Sequence, residues 1–271
     1  MVNSESPPLG KEEYFSARFL GRVSRLIGQK GEMYIGIFQY ARWVDNIIDE
    51  SELSTQQRQD FILRQKKLLD STEESPNDLC VEERAMLALP WNFYSTTEQI
   101  LIKTLTRNLF GTIEFDINHS HCEGRSHPEV TSYLLTLFKS AIRGTSVIIN
   151  KKDVSLDGKS FDDLMYAWFM LGSLMHFKKD ITSGLFHFPV ETQDQQKLLN
   201  LPMDERQQLI LTELLDEEKF SALKKQFLYQ TLLNSFAFMQ TDLPFWQKFL
   251  SSLYSFQIAL KHSKATFPLF S

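Results

Sequence analysis

Residues 37–50 constrain the fold most, because their apolar and charged side chains repeat with the period of an α-helix. Arg42, Asp45 and Asp49 fall along one face of that helix, beside a face of apolar residues such as Val44 that is expected to pack on a core. Carboxylates four residues apart stand on successive turns and can hold one or two cations between them. A solvated face with an Arg–Asp pair is the alternative interpretation, but the aromatic, apolar surroundings favour a ligand site.

These three side chains have the chemistry that binds a metal–diphosphate ligand. Carboxylate oxygens hold Mg²⁺, and the metal in turn holds phosphate oxygens. A guanidinium group binds the remaining phosphate oxygens through paired hydrogen bonds. The sequence therefore predicts a diphosphate site on this helix, with Asp45 and Asp49 as its metal ligands and Arg42 on the phosphates.

The composition favours a helical protein with a sizeable core. Of the 271 residues, 42% are hydrophobic and 22 are Phe, whereas 9 Pro and 11 Gly are few for the turns of a sheet. A net charge of −5 gives no sign of a nucleic-acid-binding surface. Cys80 and Cys122 are far apart, lack a metal-binding spacing and fit a reducing compartment, so we predict a cytoplasmic protein.

Neither end of the sequence predicts secretion or a membrane span. Residues 1–10 are polar, lack the apolar region of a signal peptide and predict a flexible N-terminus. No apolar run reaches membrane-spanning length. Residues 245–267 are rich in Phe, Leu and Tyr but are broken by Lys and Ser. They predict a packed amphipathic helix, with peripheral membrane contact as the alternative.

Helical periodicity continues along most of the chain. Predicted helices cover residues 12–27, 30–50, 54–69, 81–89, 96–118, 130–149 and 161–181, with two or three more between 203 and 264. Residues 184–200 are predicted to be irregular. The first helix carries Arg18, Arg22 and Arg25 on a partly basic face. Because no stretch has the composition of a linker, we predict one helical domain over residues 11–271.

Residues 36–50 resemble the first aspartate-rich motif of the squalene/phytoene synthase family, whose usual form is ALYAFCRxxDDxxDE. The matching residues are Arg42, Asp45, Asp49 and Glu50, and Asn46 replaces the second Asp of the family's DD pair. Residues 14–20 resemble the family's SFYxAxxxL opening without its Ser. Residues 113–116 and 143–145 stand where the family has its MxxD and AGT segments.

The resemblance implies a single-domain, all-α bundle of the isoprenoid-synthase type with a central apolar cavity. It also implies a Mg²⁺-dependent transferase that ionises a prenyl diphosphate of the farnesyl or geranylgeranyl class and couples or cyclises the resulting cation. The implied substrate-binding residues are Arg18, Lys30, Tyr40, Arg42, Asp116 and Lys179. Asp116 has two open interpretations, since it either lines the cavity or pairs with an arginine such as Arg107 or Arg143.

The family's second motif, close to QxxNxxRDxxxD and then RGRxYLP, falls on residues 171–189. If Gly184 and Pro189 anchor the alignment, Asp180 matches the second Asp and His176 replaces the first. If Leu171 and Gly172 anchor it instead, His176 matches the Gln after a deletion. The register stays open between these two alignments.

In either register one acid remains, so the implied metal ligands are Asp45, Asp49, Glu50, Asp180 and His176. Imidazole is a poor ligand for Mg²⁺, which prefers oxygen donors. Lys178 and Lys179 either bind diphosphate as point charges or are ordinary exposed helix lysines.

Three functions follow as hypotheses. The first is a prenyltransferase in which Asp45, Asp49 and Asp180 are catalytic. The second is a non-catalytic member of the fold, such as the family's assembly factor for respiratory complex I. The third is an isoprenoid carrier without metal chemistry. We favour the enzyme. If metal binding had lost its function, some of the residues Arg42, Asp45, Asp49 and Glu50 would be expected to have been substituted.

Overall fold

The computed structural model describes residues 27–50, 53–70, 78–118, 122–182, 184 and 186–239. Within these ranges the chain forms helices and no strand, with one isolated parallel bridge between Arg125 and Pro189. The predicted all-α class is therefore confirmed. Predictions about Arg18, the flexible N-terminus and residues 245–267 lie outside the described residues. The side chains of Glu50, His176, Lys178 and Lys179 lie outside them too.

The helices agree closely with the periodicity of the sequence. They are α1 (Gln29–Glu50), α2 (Thr55–Asp70), α3 (Val81–Leu87), a 3₁₀ turn (Trp91–Phe93), α4 (Thr96–Asn118), α5 (His127–Asn150), α6 (Lys159–Thr182), α7 (Thr192–Leu199), α8 (Met203–Leu209), a π-helical turn (Ile210–Leu214) and α9 (Glu217–Met239). The prediction that residues 184–200 are irregular was wrong for α7. This helix is rich in Gln and buries only Leu198, so it carries almost no apolar period.

Two helices begin at capping boxes that were readable in the sequence. At α2, Ser54 Oγ accepts the backbone N–H of Gln57 at 3.3 Å, and Gln57 Oε1 accepts that of Ser54 at 2.9 Å. At α4, Ser95 and Glu98 exchange the same two bonds, at 3.3 and 2.7 Å. Each box satisfies backbone donors that the first helical turn leaves without a partner.

The chain divides into two compact units, which are described separately. Unit 1 consists of the described residues of Met1–Asn118 and Thr136–Ser155, and unit 2 consists of those of His119–Leu135 and Leu156–Ser271. The single domain over residues 11–271 stays a prediction. No helix within the described ranges combines the length and hydropathy needed to cross a lipid bilayer.

The core of unit 1 lies where α1 packs on α3 and α4 and where α2 packs on α4. Val44, Ile62 and Phe110 are fully buried there. The predicted core face of α1 is confirmed, because Ile37 and Ile48 are also buried. This packing fixes the rotation of α1, and hence the direction in which its opposite face points.

The core of unit 2 is centred on the long contact between α6 and α9. The segment before α5 is joined to residues 184–190 by two backbone hydrogen bonds, from Cys122 N to Gly184 O at 2.7 Å and from Val190 N to Arg125 O at 2.8 Å. Between them, Gly124 has a φ of +71°, which side-chain-bearing residues rarely adopt.

Gly124→Ala is expected to lower the free energy of unfolding by about 1–3 kcal/mol. Besides the strained φ, an added Cβ would lie 2.6 Å from Val190 Cγ2 and 3.0 Å from Leu198 Cδ1. Urea unfolding followed by circular dichroism measures the loss. Gly111→Ala is the control, because α4 has no described atom within 4 Å of an added Cβ there. That variant is expected to gain up to about 1 kcal/mol, and equal losses would contradict the explanation.

Candidate functional site

The candidate site is the face of α1 opposite the core of unit 1. Phe38, Arg42, Asp45 and Asp49 follow one another at helical spacing along it. Phe38 is 42% exposed, the side chains of Arg42 and Asp45 are 40% and 32% exposed, and Asp49 is exposed. Three of these residues were predicted from the sequence. Phe38 was not, although its position four residues before Arg42 was a readable signal.

Arg42 and Asp45 form an ion pair on this face. Arg42 Nη1 donates to Asp45 Oδ2 at 2.6 Å. Because both side chains are about one-third exposed, the pair contributes at most about 1 kcal/mol to stability. Its larger effect is on orientation, since it fixes the guanidinium beside the carboxylates. Asp49 lies one turn further along the helix. The face therefore carries two carboxylates, of Asp45 and Asp49, and one guanidinium group, of Arg42.

Lys30, a predicted phosphate-binding residue, has a structural contact. Its ammonium group donates to the carbonyl oxygen of Ile149 at 2.7 Å, in the last turn of α5. A cation at a helix C-terminus compensates the partial negative charge of the last carbonyls. This contact uses one of the three N–H donors of the ammonium group and holds Lys30 against the end of α5.

The segment that stands where the family has AGT lies against α1 within unit 1. Tyr34 shares a side-chain hydrogen bond with Thr145, and burial raises the pKa of Tyr34 above its ordinary value. Nearby, Arg143 pairs with Asp153 through two bonds of 2.9 and 2.5 Å. The hydrogen bonds from Arg143 hold the pKa of Asp153 below its ordinary value. The structure thus brings this segment and the first half of α1 together.

Tyr40 lies on a different side of α1 from Arg42. Residues two apart in a helix are separated by about 200° around the axis, and Tyr40 is only 3% exposed. Its hydroxyl donates to Gln65 Oε1 at 2.5 Å. Burial, followed by the charge of Glu83, raises its pKa far above the ordinary value. Tyr40 is therefore buried away from the exposed face that carries Arg42. Its role in substrate binding stays a prediction.

Gln65 continues from Tyr40 into a buried polar network. Its amide donates to Glu83 Oε1 at 2.9 Å, and Arg64 donates to both oxygens of Glu83 at 2.8 Å. The backbone N–H of Cys80 adds a further bond to Glu83 at 3.0 Å. Burial acts to raise the pKa of Glu83, but these hydrogen bonds hold it below the ordinary value. The network ties α1, α2 and α3 together within unit 1.

Two further predicted acids lie on other helices. Asp116 is half-buried on α4, and Arg107, one of its predicted partners, contacts Asp70. Asp180 is half-buried near the end of α6 in unit 2, next to the core residue Ile181. Gly184, with a φ of +84°, follows the end of that helix. Asp180 belongs to unit 2, whereas Asp45 and Asp49 belong to unit 1.

The acid pair on α1 fits the donor preference of Mg²⁺. No three His, Cys, Asp or Glu side chains gather into a metal-sized cluster within the part of the chain that the structure describes. Mg²⁺ commonly takes one or two carboxylates, keeps several waters and completes its shell with substrate phosphates. Asp45 and Asp49 supply such a pair, so their oxygen chemistry is suitable for this cation.

Unit 1 also has a groove of about 810 Å³ between α1 and α3. Its described lining residues are Gly28, Glu32, Ile35, Gly36, Gln39, Tyr40, Glu82, Ala85, Met86 and Leu89. Tyr40 is the one predicted site residue among them. None of Arg42, Asp45 and Asp49 lines this groove, so the groove and the exposed face of α1 are separate features.

Comparison of the chain with protein-family models, curated proteins and solved structures finds no match. The family resemblance therefore stays a prediction that rests on the motif residues. Among the described residues, these are chiefly Arg42, Asp45 and Asp49 on α1.

Proposed function

We propose that the exposed face of α1 binds the diphosphate group of a prenyl diphosphate in a transferase of the squalene/phytoene synthase type. The observation that supports this most is the row of Phe38, Arg42, Asp45 and Asp49. It joins an apolar surface, a cation and two carboxylates along about three turns of one helix. We place this activity in the cytoplasm.

The residues have distinct roles in this proposal. Asp45 and Asp49 would hold Mg²⁺, with Glu50, Asp180 and His176 as further predicted ligands. When bound, the metal neutralises charge on the diphosphate and so favours ionisation of the C–O bond. Arg42, oriented by Asp45 at 2.6 Å, donates to phosphate oxygens. Phe38 offers an aromatic face to the hydrocarbon chain and to a developing cation, worth about 0.5–2 kcal/mol per contact.

A non-catalytic member of the fold is the second candidate. The observation that favours it is that Arg42 and Lys30 both have structural uses, one beside Asp45 and the other on Ile149 O. Such contacts would persist without metal or diphosphate. An isoprenoid carrier would bind its ligand through apolar surface and would need neither acid.

Binding of a non-hydrolysable farnesyl diphosphate analogue, measured by calorimetry with and without Mg²⁺, separates these functions. For the enzyme we expect binding that requires Mg²⁺ and weakens at least about 100-fold in Asp45→Ala with Asp49→Ala, a loss of about 2.7 kcal/mol. The exposed pair Asp204→Ala with Glu205→Ala, on α8, is the control and should bind normally.

The other outcomes identify the alternatives. An affinity for the analogue that does not depend on Mg²⁺ and is unchanged by the double substitution would indicate a carrier. Absence of binding by a correctly folded wild-type chain would overturn the enzyme and leave the non-catalytic function. A positive result would be followed by product analysis with C10 to C20 diphosphates.

A further inference from the structure

We propose that Gln207 is a positioning residue for Asp180, because its side chain holds the end of the helix on which that predicted metal ligand lies. The inference rests on the proposed function for the role of Asp180. What it adds is the contact that fixes the backbone beneath the carboxylate. The residues that carry this inference all belong to unit 2.

The last turn of α6 carries Asp180 beside a buried neighbour. The helix ends at Thr182, Asp180 is half-buried, and Ile181 is 2% exposed. The last four carbonyl groups of a helix have no partner within the helix, and such ends fray unless other groups bind them. Only one methylene separates an aspartate carboxylate from the backbone, so the carboxylate of Asp180 moves with this turn.

The carbonyl oxygen of Ile181 is the point at which this turn is fixed. Gln207 Nε2 donates to it at 2.7 Å from α8, 26 residues away in sequence. The backbone N–H of Gly184 donates to it at 3.0 Å. The thiol of Cys122, a weak donor, lies 3.8 Å from it. Of these three donors, Gln207 makes the shortest contact and joins α6 to another helix.

The helix that presents Gln207 is itself held in place by the preceding residue. The guanidinium group of Arg206 donates to Leu201 O at 2.7 Å and to Leu199 O at 3.1 Å, at the end of α7. Its other terminal nitrogen lies 3.9 Å from Glu123 Oε1, and the Arg206 side chain is 14% exposed. The amide of Gln207 therefore extends from a fixed backbone, and its hydrogen bond fixes the end of α6 in turn.

Metal binding depends on this kind of support. A metal ligand has to be held within about 0.5 Å of its productive geometry by the groups behind it. Removal of a group that orients a ligand typically costs about 10–100-fold in metal affinity. A helix cap without this role would affect the local stability of α6 alone. The two roles differ in whether the effect of Gln207 on ligand binding requires the carboxylate of Asp180.

A double-mutant cycle separates these roles. Gln207→Glu keeps the size of the side chain but replaces the donor with a carboxylate, which can only accept hydrogen bonds at neutral pH. We expect it to weaken Mg²⁺-dependent binding of the farnesyl diphosphate analogue about 10-fold, as measured by calorimetry. In the Asp180→Asn background the same change should cause no further loss. Equal losses in the two backgrounds, or no loss in either, would overturn the positioning role.

Two further variants control for the added charge. Gln208→Glu places the same charge on the next residue of α8, which is exposed, and should bind the analogue normally. Gln207→Ala removes the donor without adding a charge and should weaken binding to a similar degree as Gln207→Glu. Normal binding by Gln207→Ala would attribute the loss to the added charge and would refute the inference.

Hydrogen exchange of the unliganded chain, followed by mass spectrometry, tests the contact without a ligand. Peptides that cover residues 177–184 should exchange about fivefold faster in Gln207→Ala than in the wild type, and Gln208→Glu should leave their exchange unchanged. Unchanged exchange in Gln207→Ala would show that Gln207 does not hold the end of α6. Failure of the proposed function is a separate result, because the wild type itself would then not bind the analogue. That result would also overturn the role of Gln207, whatever the exchange rates.

Discussion

Glu83→Ala is expected to lower the free energy of unfolding by about 3 kcal/mol, because it removes the centre of a buried network. Glu83 is 2% exposed and accepts hydrogen bonds from Arg64, Gln65 and the backbone of Cys80. Its loss would leave the amide of Gln65, which is fully buried, without its acceptor. Arg64 is 40% exposed and can turn to water, which keeps the loss at the lower end of the range for buried ion pairs.

Chemical denaturation at neutral pH measures this loss. Glu114→Ala is the matched control, since Glu114 also pairs with a lysine, Lys66, at 2.6 Å but is 43% exposed. That variant should lose less than about 1 kcal/mol. Similar losses in the two variants would show that the buried network contributes no more than a surface ion pair.

The same network predicts a dependence on pH. The pKa of Glu83 is lowered in the folded chain, so its ionised form stabilises the fold. That contribution is fully present above the pKa of an unfolded glutamate, about 4.3, and is lost as the pH falls through the folded value. The stability difference between the wild type and Glu83→Gln should therefore be constant from about pH 5 to 7 and shrink below about pH 4. A difference that grows on acidification would contradict the lowered pKa.

Arg42→Gln is expected to separate diphosphate binding from metal binding on α1. Removing a guanidinium that makes charge-assisted hydrogen bonds should weaken the farnesyl diphosphate analogue about 10–100-fold in the presence of Mg²⁺. The same change removes a cation 2.6 Å from Asp45 and should strengthen binding of Mn²⁺ alone. Calorimetry gives both affinities, and manganese relaxation checks the second.

Arg84→Gln controls for a general loss of positive charge, because Arg84 is exposed on α3. It should change neither affinity. If Arg42→Gln binds the analogue as the wild type does, Arg42 has only its structural role beside Asp45. That result would favour the non-catalytic function.

The features that follow from local sequence were predicted well. The bounds of α4 depend on residues within one or two turns, and their signal is the helical period. The exposure of Asp49 opposite the core residue Val44 also follows from one helical period. These interactions are short in sequence, so no distant contact is needed to specify them.

Interactions between distant residues were not readable from the sequence. Lys30 donates to the carbonyl of Ile149, 119 residues away, and the hydroxyl of Tyr40 donates to Gln65, 25 residues away. The groove also depends on the distance between α1 and α3, where Gly36 faces Leu89 closely enough that an added Cβ would lie 2.2 Å from it. Periodicity specifies which face of a helix is apolar, but not which helix that face will meet.

The sequence by itself thus determined the all-α class, the helix that carries Arg42, Asp45 and Asp49, and the face on which they lie. The tertiary structure alone decided which of the predicted residues share that face and which serve the fold. The physical reason is that a side chain's partners are set by the packing of whole helices, which sums many weak contacts over residues far apart in the chain.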